Sequence, residues 1–212
     1  MTAPDEPGTV DVGAMQKRAR LGVILLAART AIVQVGVLVG GVVMARLLEP
    51  EDFGVYVICV FALKFFGFFG DGGLGGALIQ KKEEPTQTEL STVFWASTAI
   101  ALAVVAGAWI FAAYMPVVWP GIPASGPRLL RILAFEFLLV SLRAVPTLLL
   151  ERQLGYTKLS IVETIRDLSY YFAALPLAYY GGLGVYAIGL GILVEGTVGV
   201  VGAFAARPWL PS

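Results

Sequence analysis

The sequence predicts an all-α membrane protein, a bundle of about six transmembrane helices, and three observations carry that expectation. Of 212 residues, 58% are hydrophobic and only 14% charged, whereas a soluble domain carries about a quarter charged residues. The apolar residues fall into runs of span length instead of alternating with polar ones. Lysine and arginine gather in alternate connections between those runs.

The first run, Leu21 to Ala45, is too long for a signal-peptide core and lacks a small-residue cleavage pattern, so it reads as a retained span. The others are Val55 to Ile79, Thr92 to Met115, Leu129 to Leu150, Ile161 to Tyr180 and Leu183 to Ala206, each near the ~20 residues that cross the hydrocarbon. Residues 1–16 read as a disordered cytoplasmic tail, 17–207 as the six-helix lobe and 208–212 as a C-terminal tail. One set of connections collects Lys17, Arg18, Arg20, Lys81, Lys82, Arg152, Lys158 and Arg207. The other has Arg46, Arg128 and Arg131 beside an acidic Glu49, Glu51, Asp52 turn. That asymmetry places both termini in the cytoplasm of a multi-pass inner-membrane protein. Trp95, Trp119 and Trp209 fall near span ends, where an indole meets water and lipid together.

Composition also excludes function classes. Fifteen basic residues balance fifteen acidic ones, so no nucleic-acid partner is indicated. Histidine is absent and Cys59 is the single cysteine, which removes His-based catalysis, zinc clusters and an intrachain disulfide. No cofactor is expected, and the chain reads as a non-enzyme. Gly70, Gly72 and Gly75 spell GxGxxG, but a dinucleotide fingerprint follows a β-strand, not a membrane run. Gly36 with Gly40, and Gly191, Gly199 and Gly202, read as close-packing faces. Pro146 and Pro176 lie inside spans and read as kinks or hinges.

Nine ionisable residues interrupt the apolar runs: Arg29, Lys64, Asp71, Glu136, Arg143, Glu163, Arg166, Asp167 and Glu195. Each would cost ~2.5 to 3.5 kcal/mol if it faced lipid, so they must pair or line water. Seven-residue spacing puts Lys64 with Asp71, and Glu136 with Arg143, on single helix faces. Ser160, Glu163, Asp167 and Tyr170 form a third stripe. Interhelical pairing and a polar cavity both remain open for Glu163, Arg166 and Asp167. Arg29 and Lys64 lack an acid within a turn, which favours a water-filled cavity or an anionic ligand. The third span has no ionisable residue and reads as the lipid-facing helix.

Three stretches together resemble the lipid-linked oligosaccharide and polysaccharide flippases of the multidrug/oligosaccharidyl-lipid/polysaccharide exporter superfamily. They are Ala45-Arg46-Leu47-Leu48-Glu49-Pro50-Glu51-Asp52-Phe53-Gly54; Asp71 to Gln80 followed by Leu90-Ser91-Thr92-Val93-Phe94-Trp95; and Leu150-Glu151-Arg152-Gln153-Leu154 with Lys158 and Glu163. The resemblance implies two six-helix lobes around a central cleft, of which this chain corresponds to the first. It implies a polyprenyl-pyrophosphate-linked glycan as substrate within the lipid bilayer, with Arg29, Lys64 and Arg143 attracting pyrophosphate. Asp71, Glu163 and Asp167 are the expected ion-coupling acids. The second lobe would come from a homodimer, a separate protein or a longer chain. The alternative is a non-transporting scaffold of a polysaccharide assembly complex; an intramembrane lipid-modifying enzyme comes last, because no nucleophile motif is present.

Overall fold

The computed structural model describes residues 30–31, 33–70, 85–152 and 156–211. Six helices and no strand occur among them: α1 (Val33–Leu47), α2 (Pro50–Gly70), α3 (Gln87–Val118), α4 (Ser125–Arg152), α5 (Tyr156–Tyr179) and α6 (Val185–Ala206). Each overlaps one expected span. The start of the first span, residues 1–16, Arg29, Asp71 and the remainder of the GxGxxG segment lie outside the described residues.

Local chemistry fixes the helix starts. Pro50 opens α2, where its missing N–H costs nothing, and Glu51 and Asp52 meet the positive pole of the first turn. A capping box opens α3: Glu89 N–H donates to Thr86 Oγ1 at 3.3 Å, and Thr86 N–H donates to Glu89 Oε2 at 2.9 Å. The α5–α6 turn uses Gly182 and Gly184 at φ 56° and 52°, a region that L side chains rarely enter.

α3, α4 and α6 are each long and apolar enough to cross a membrane. α5 does not meet that test alone, since Lys158, Glu163, Arg166 and Asp167 interrupt it. α1 and α2 meet it as a pair bent by 119°. Packing register shows that they run along different neighbours. Gly36 and Gly40 of α1 meet Leu168 and Tyr171 of α5, so α1 and α5 are parallel. α2 runs parallel to α4, because Val55 approaches Gly126 and Gly67 meets Phe137. Gly189 against Leu129, and Gly196 against Leu139, make α6 parallel to α4; Gly191 against Ala174 and Gly202 against Val162 make it antiparallel to α5. α3 is antiparallel to α4, since Leu90 and Phe94 pack with Val145 and Leu148 whereas Trp109 meets Phe135. It is therefore antiparallel to α2, whose Phe66 touches it at Gly107 and Phe111. Odd helices therefore run one way and even helices the other, the alternation that successive membrane crossings require.

The three turns α1–α2, α3–α4 and α5–α6 consequently share one end, the upper end. There Asp52 lies against Gly184, with its Oδ2 only 3.2 Å from where a Cβ would sit. The main apolar core fills this half, built on Met115, Leu129, Leu130, Leu133, Val185 and Cys59. A smaller core at the lower end contains Leu90, Phe94, Val145, Leu148 and Trp209. Trp209 is not a lipid-facing anchor but is 8% exposed, and its Nε1–H donates to Gln87 Oε1 at 3.0 Å. Gln87 Nε2 in turn donates to the Leu210 carbonyl at 2.8 Å. The chain after α6 is thus fastened to the start of α3.

Candidate functional site

Between the two apolar cores, α4, α5 and α6 bring charged side chains together. Arg166 is the hub. Its Nη2 and Nε both donate to Asp167 Oδ1, at 2.6 and 3.0 Å, and its Nε lies 3.4 Å from Glu195 Oε1 on α6. Arg143 of α4 has Arg166, Glu195, Glu163 and Glu136 as its electrostatic neighbours. Its Nε is buried without a hydrogen-bond partner among the described residues.

Glycine makes this convergence fit. A Cβ at Gly199 would lie 3.1 Å from Arg166 Cδ and 3.5 Å from Arg143 Cδ, so both aliphatic stems cross the α6 backbone at one point. The methylenes pack on apolar surface while the guanidiniums reach the acids. Tyr56 of α2 and Tyr170 of α5 border the group, since Glu195 is an electrostatic neighbour of both. Tyr171 O–H donates to the Val37 carbonyl at 3.2 Å and ties α1 to the same helix.

Four carboxylates, Glu136, Glu163, Asp167 and Glu195, thus surround two guanidiniums, Arg143 and Arg166. Two more carboxylates than guanidiniums in the layer suit an added small cation better than an added anion. The members are also unequal. Asp167 is held by both Arg166 donors, whereas Glu136 makes no hydrogen bond or ion pair with another described residue.

The expected site residues separate accordingly. Arg143, Glu163 and Asp167 come together in this layer. Lys64 does not join them: it is exposed on α2, on the face that carries Val57, Phe61 and Phe65, and it is not among the neighbours of Arg143. Arg29 and Asp71 lie outside the described residues. Glu136, Arg166 and Glu195 complete the layer although sequence reasoning gave them no site role. The signal for Glu195 was the glycine face it shares with Gly191, Gly199 and Gly202, which seats α6 on α5.

The family model for polysaccharide biosynthesis proteins matches residues 43–212. The succinoglycan biosynthesis transport protein ExoT of Rhizobium meliloti is 30% identical over 169 residues, 80% of this chain and 33% of that protein. The lipopolysaccharide biosynthesis protein WzxC of Escherichia coli is 24% identical over 156 residues, 74% of this chain and 31% of that protein. An uncharacterized membrane protein in the cps region of Klebsiella pneumoniae is 43% identical over 54 residues, 26% of this chain and 11% of that protein. The chain spans about a third of the length of ExoT and WzxC. No solved structure matches it. The family match over about four fifths of its length makes this chain a member of the polysaccharide biosynthesis protein family, the flippase family that its sequence resembles.

Proposed function

We propose that this chain acts as one lobe of a transporter that flips a polyprenyl-pyrophosphate-linked oligosaccharide across the cytoplasmic membrane for cell-surface polysaccharide assembly. The observation that carries the reading is the charged layer of α4, α5 and α6. Charges so placed in a membrane helix bundle are costly and mark transport or coupling sites by default. A second six-helix lobe completes the cleft, supplied by a second copy, a separate protein or further chain. A second copy obeys the same positive-inside rule and inserts with the same orientation, so the two can be related by an axis along the membrane normal.

Within this reading Arg29 and Lys64 meet the pyrophosphate, and the acids, Asp71 among them, couple transport to a proton or monovalent cation. Arg143 serves the coupling layer rather than the substrate, because its surroundings are mainly carboxylates. Both termini are cytoplasmic: Arg152, Lys158 and Arg207 belong with Lys17, Arg18, Arg20, Lys81 and Lys82 to the base-rich set of connections, against Arg46, Arg128 and Arg131 in the other.

Complementation of a flippase-deficient strain tests the proposal, with the chain expressed alone and together with a second lobe. Rescue in either format, lost when Arg166 is replaced, is expected. Failure in both formats by correctly inserted protein argues against transport. It turns attention to the scaffold alternative, which crosslinking to glycan-assembly enzymes would then support.

A further inference from the structure

We propose that the outer groove between α3 and α4 near the upper end is a binding site for the phosphate headgroup of an anionic phospholipid, built from Arg128, Arg131 and Trp109. The inference is independent of the transport reading. Arg128 and Arg131 are three residues apart on α4 and share a face, one turn from each other. Like charges at that spacing repel unless an anion lies between them.

Arg131 is positioned by an aromatic floor. Its Cζ lies 5.9 Å from the centroid of Trp109, a cation–π distance. Trp109 is itself fixed: its Nε1–H donates to the Arg131 carbonyl at 3.2 Å, and Phe135 meets its ring edge-on at 5.8 Å. Trp109, Ile110 and Phe135 are all exposed, so the groove opens outward from the bundle, toward lipid.

Among the described residues no ion pair reaches Arg128 or Arg131, although the α1–α2 turn brings Glu49, Glu51 and Asp52 to the same end. α3 carries no Asp, Glu, Lys or Arg between Thr92 and Val118, and the first acid along α4 is Glu136. That carboxylate has its electrostatic neighbours, Arg143 and Arg166, in the interior layer. Arg131 Nε is buried with no hydrogen-bond partner among the described residues, and Arg131 forms no ion pair with them. An uncompensated cation facing hydrocarbon is costly, so its charge is met at the headgroups.

Geometry permits this. Helical side chains lean toward the helix N-terminus, and the N-terminus of α4 is at the upper end. Arg131 lies six residues from Ser125, about 9 Å along the axis, so its guanidinium reaches the interface. Two planar guanidiniums one turn apart match the oxygens of one phosphodiester. Because two full charges need compensation, a headgroup of net negative charge is preferred over a zwitterionic one.

Native mass spectrometry of the intact chain in mild detergent tests this with phosphatidylglycerol and phosphatidylcholine of identical acyl chains. Wild-type protein should retain phosphatidylglycerol preferentially. Arg128→Gln, on an exposed side chain that leaves the fold intact, should weaken that retention about fivefold, and the Arg128→Gln/Arg131→Gln double variant by a further similar factor. Arg131→Lys, which keeps the charge and loses the fork, should fall between wild type and Arg131→Gln. Equal retention of the two lipids by wild type, or undiminished phosphatidylglycerol retention by folded Arg128→Gln and double variants, overturns the site. Complete displacement of the lipid by millimolar inorganic phosphate would instead assign the groove to a soluble anion and overturn the lipid assignment.

Discussion

α3 and α6 are both apolar enough to cross a membrane, yet they are built for different tasks. α3 turns Trp95, Leu102, Ile110 and Tyr114 outward and carries no Asp, Glu, Lys or Arg between Thr92 and Val118. α6 buries Gly189, Gly191, Gly196 and Gly199 against α4 and α5 and brings Glu195 to Arg166. Lipid is as apolar as leucine, so hydrophobicity alone cannot say which side of such a helix faces protein. Small residues permit close backbone approach, and that approach lets a charge on one helix reach its partner on the next. The helix with the smallest side chains is therefore the one that organises the charged layer.

The largest effect expected from breaking this contrast is at Gly199. Gly199→Leu places a branched side chain where the stems of Arg166 and Arg143 cross, and the helices cannot separate without parting the ion pairs. Loss of the monodisperse folded species in size-exclusion chromatography is the expected outcome. Leu102→Gly, the reverse exchange on the exposed face of α3, should leave a folded peak.

Next in size is Arg166→Ala, which removes the hub and leaves Asp167 and Glu195 without it. Breaking one side of a partly buried network should cost about 3 kcal/mol. Thermal unfolding in detergent checks the direction, and Arg166→Ala combined with Glu195→Gln should recover part of the loss because fewer acids remain uncompensated. Trp209→Ala should cost a comparable amount, about 3 kcal/mol, through lost packing on Leu90, Phe94, Val145 and Leu148 and the lost hydrogen bond to Gln87. Leu102→Ala anchors the small end of the series, with a shift within about 0.5 kcal/mol.

Much of this architecture is legible in the sequence, because apolar runs of span length report the membrane directly. α5 is legible despite its four charges, since these cluster on related faces and leave the remaining surface apolar. Partner choice across helices was less legible. The Arg166–Glu195 pair depends on the antiparallel register of α5 and α6, set by where Ala174 and Val162 seat on Gly191 and Gly202. A single helix does not encode that register. Arg143 illustrates the same limit: the resemblance implies a pyrophosphate contact for it, whereas its neighbours on α5 and α6 are mostly acids. Trp209 lies near a span end, but its burial depends on Gln87 and Phe94, more than a hundred residues earlier.

The central claim is that the acid-rich layer of α4, α5 and α6 couples transport to a proton or monovalent cation. Its most direct test is glycan-lipid transport by the completed two-lobe assembly, measured against pH and sodium concentration for Glu136→Gln, Glu163→Gln, Asp167→Asn and Glu195→Gln. The account predicts that at least one amide variant, still folded, flattens or displaces the wild-type dependence, with Glu136 and Glu195 more effective than Asp167, which Arg166 already holds. Four folded variants whose pH and sodium profiles superimpose on that of the wild type would contradict it.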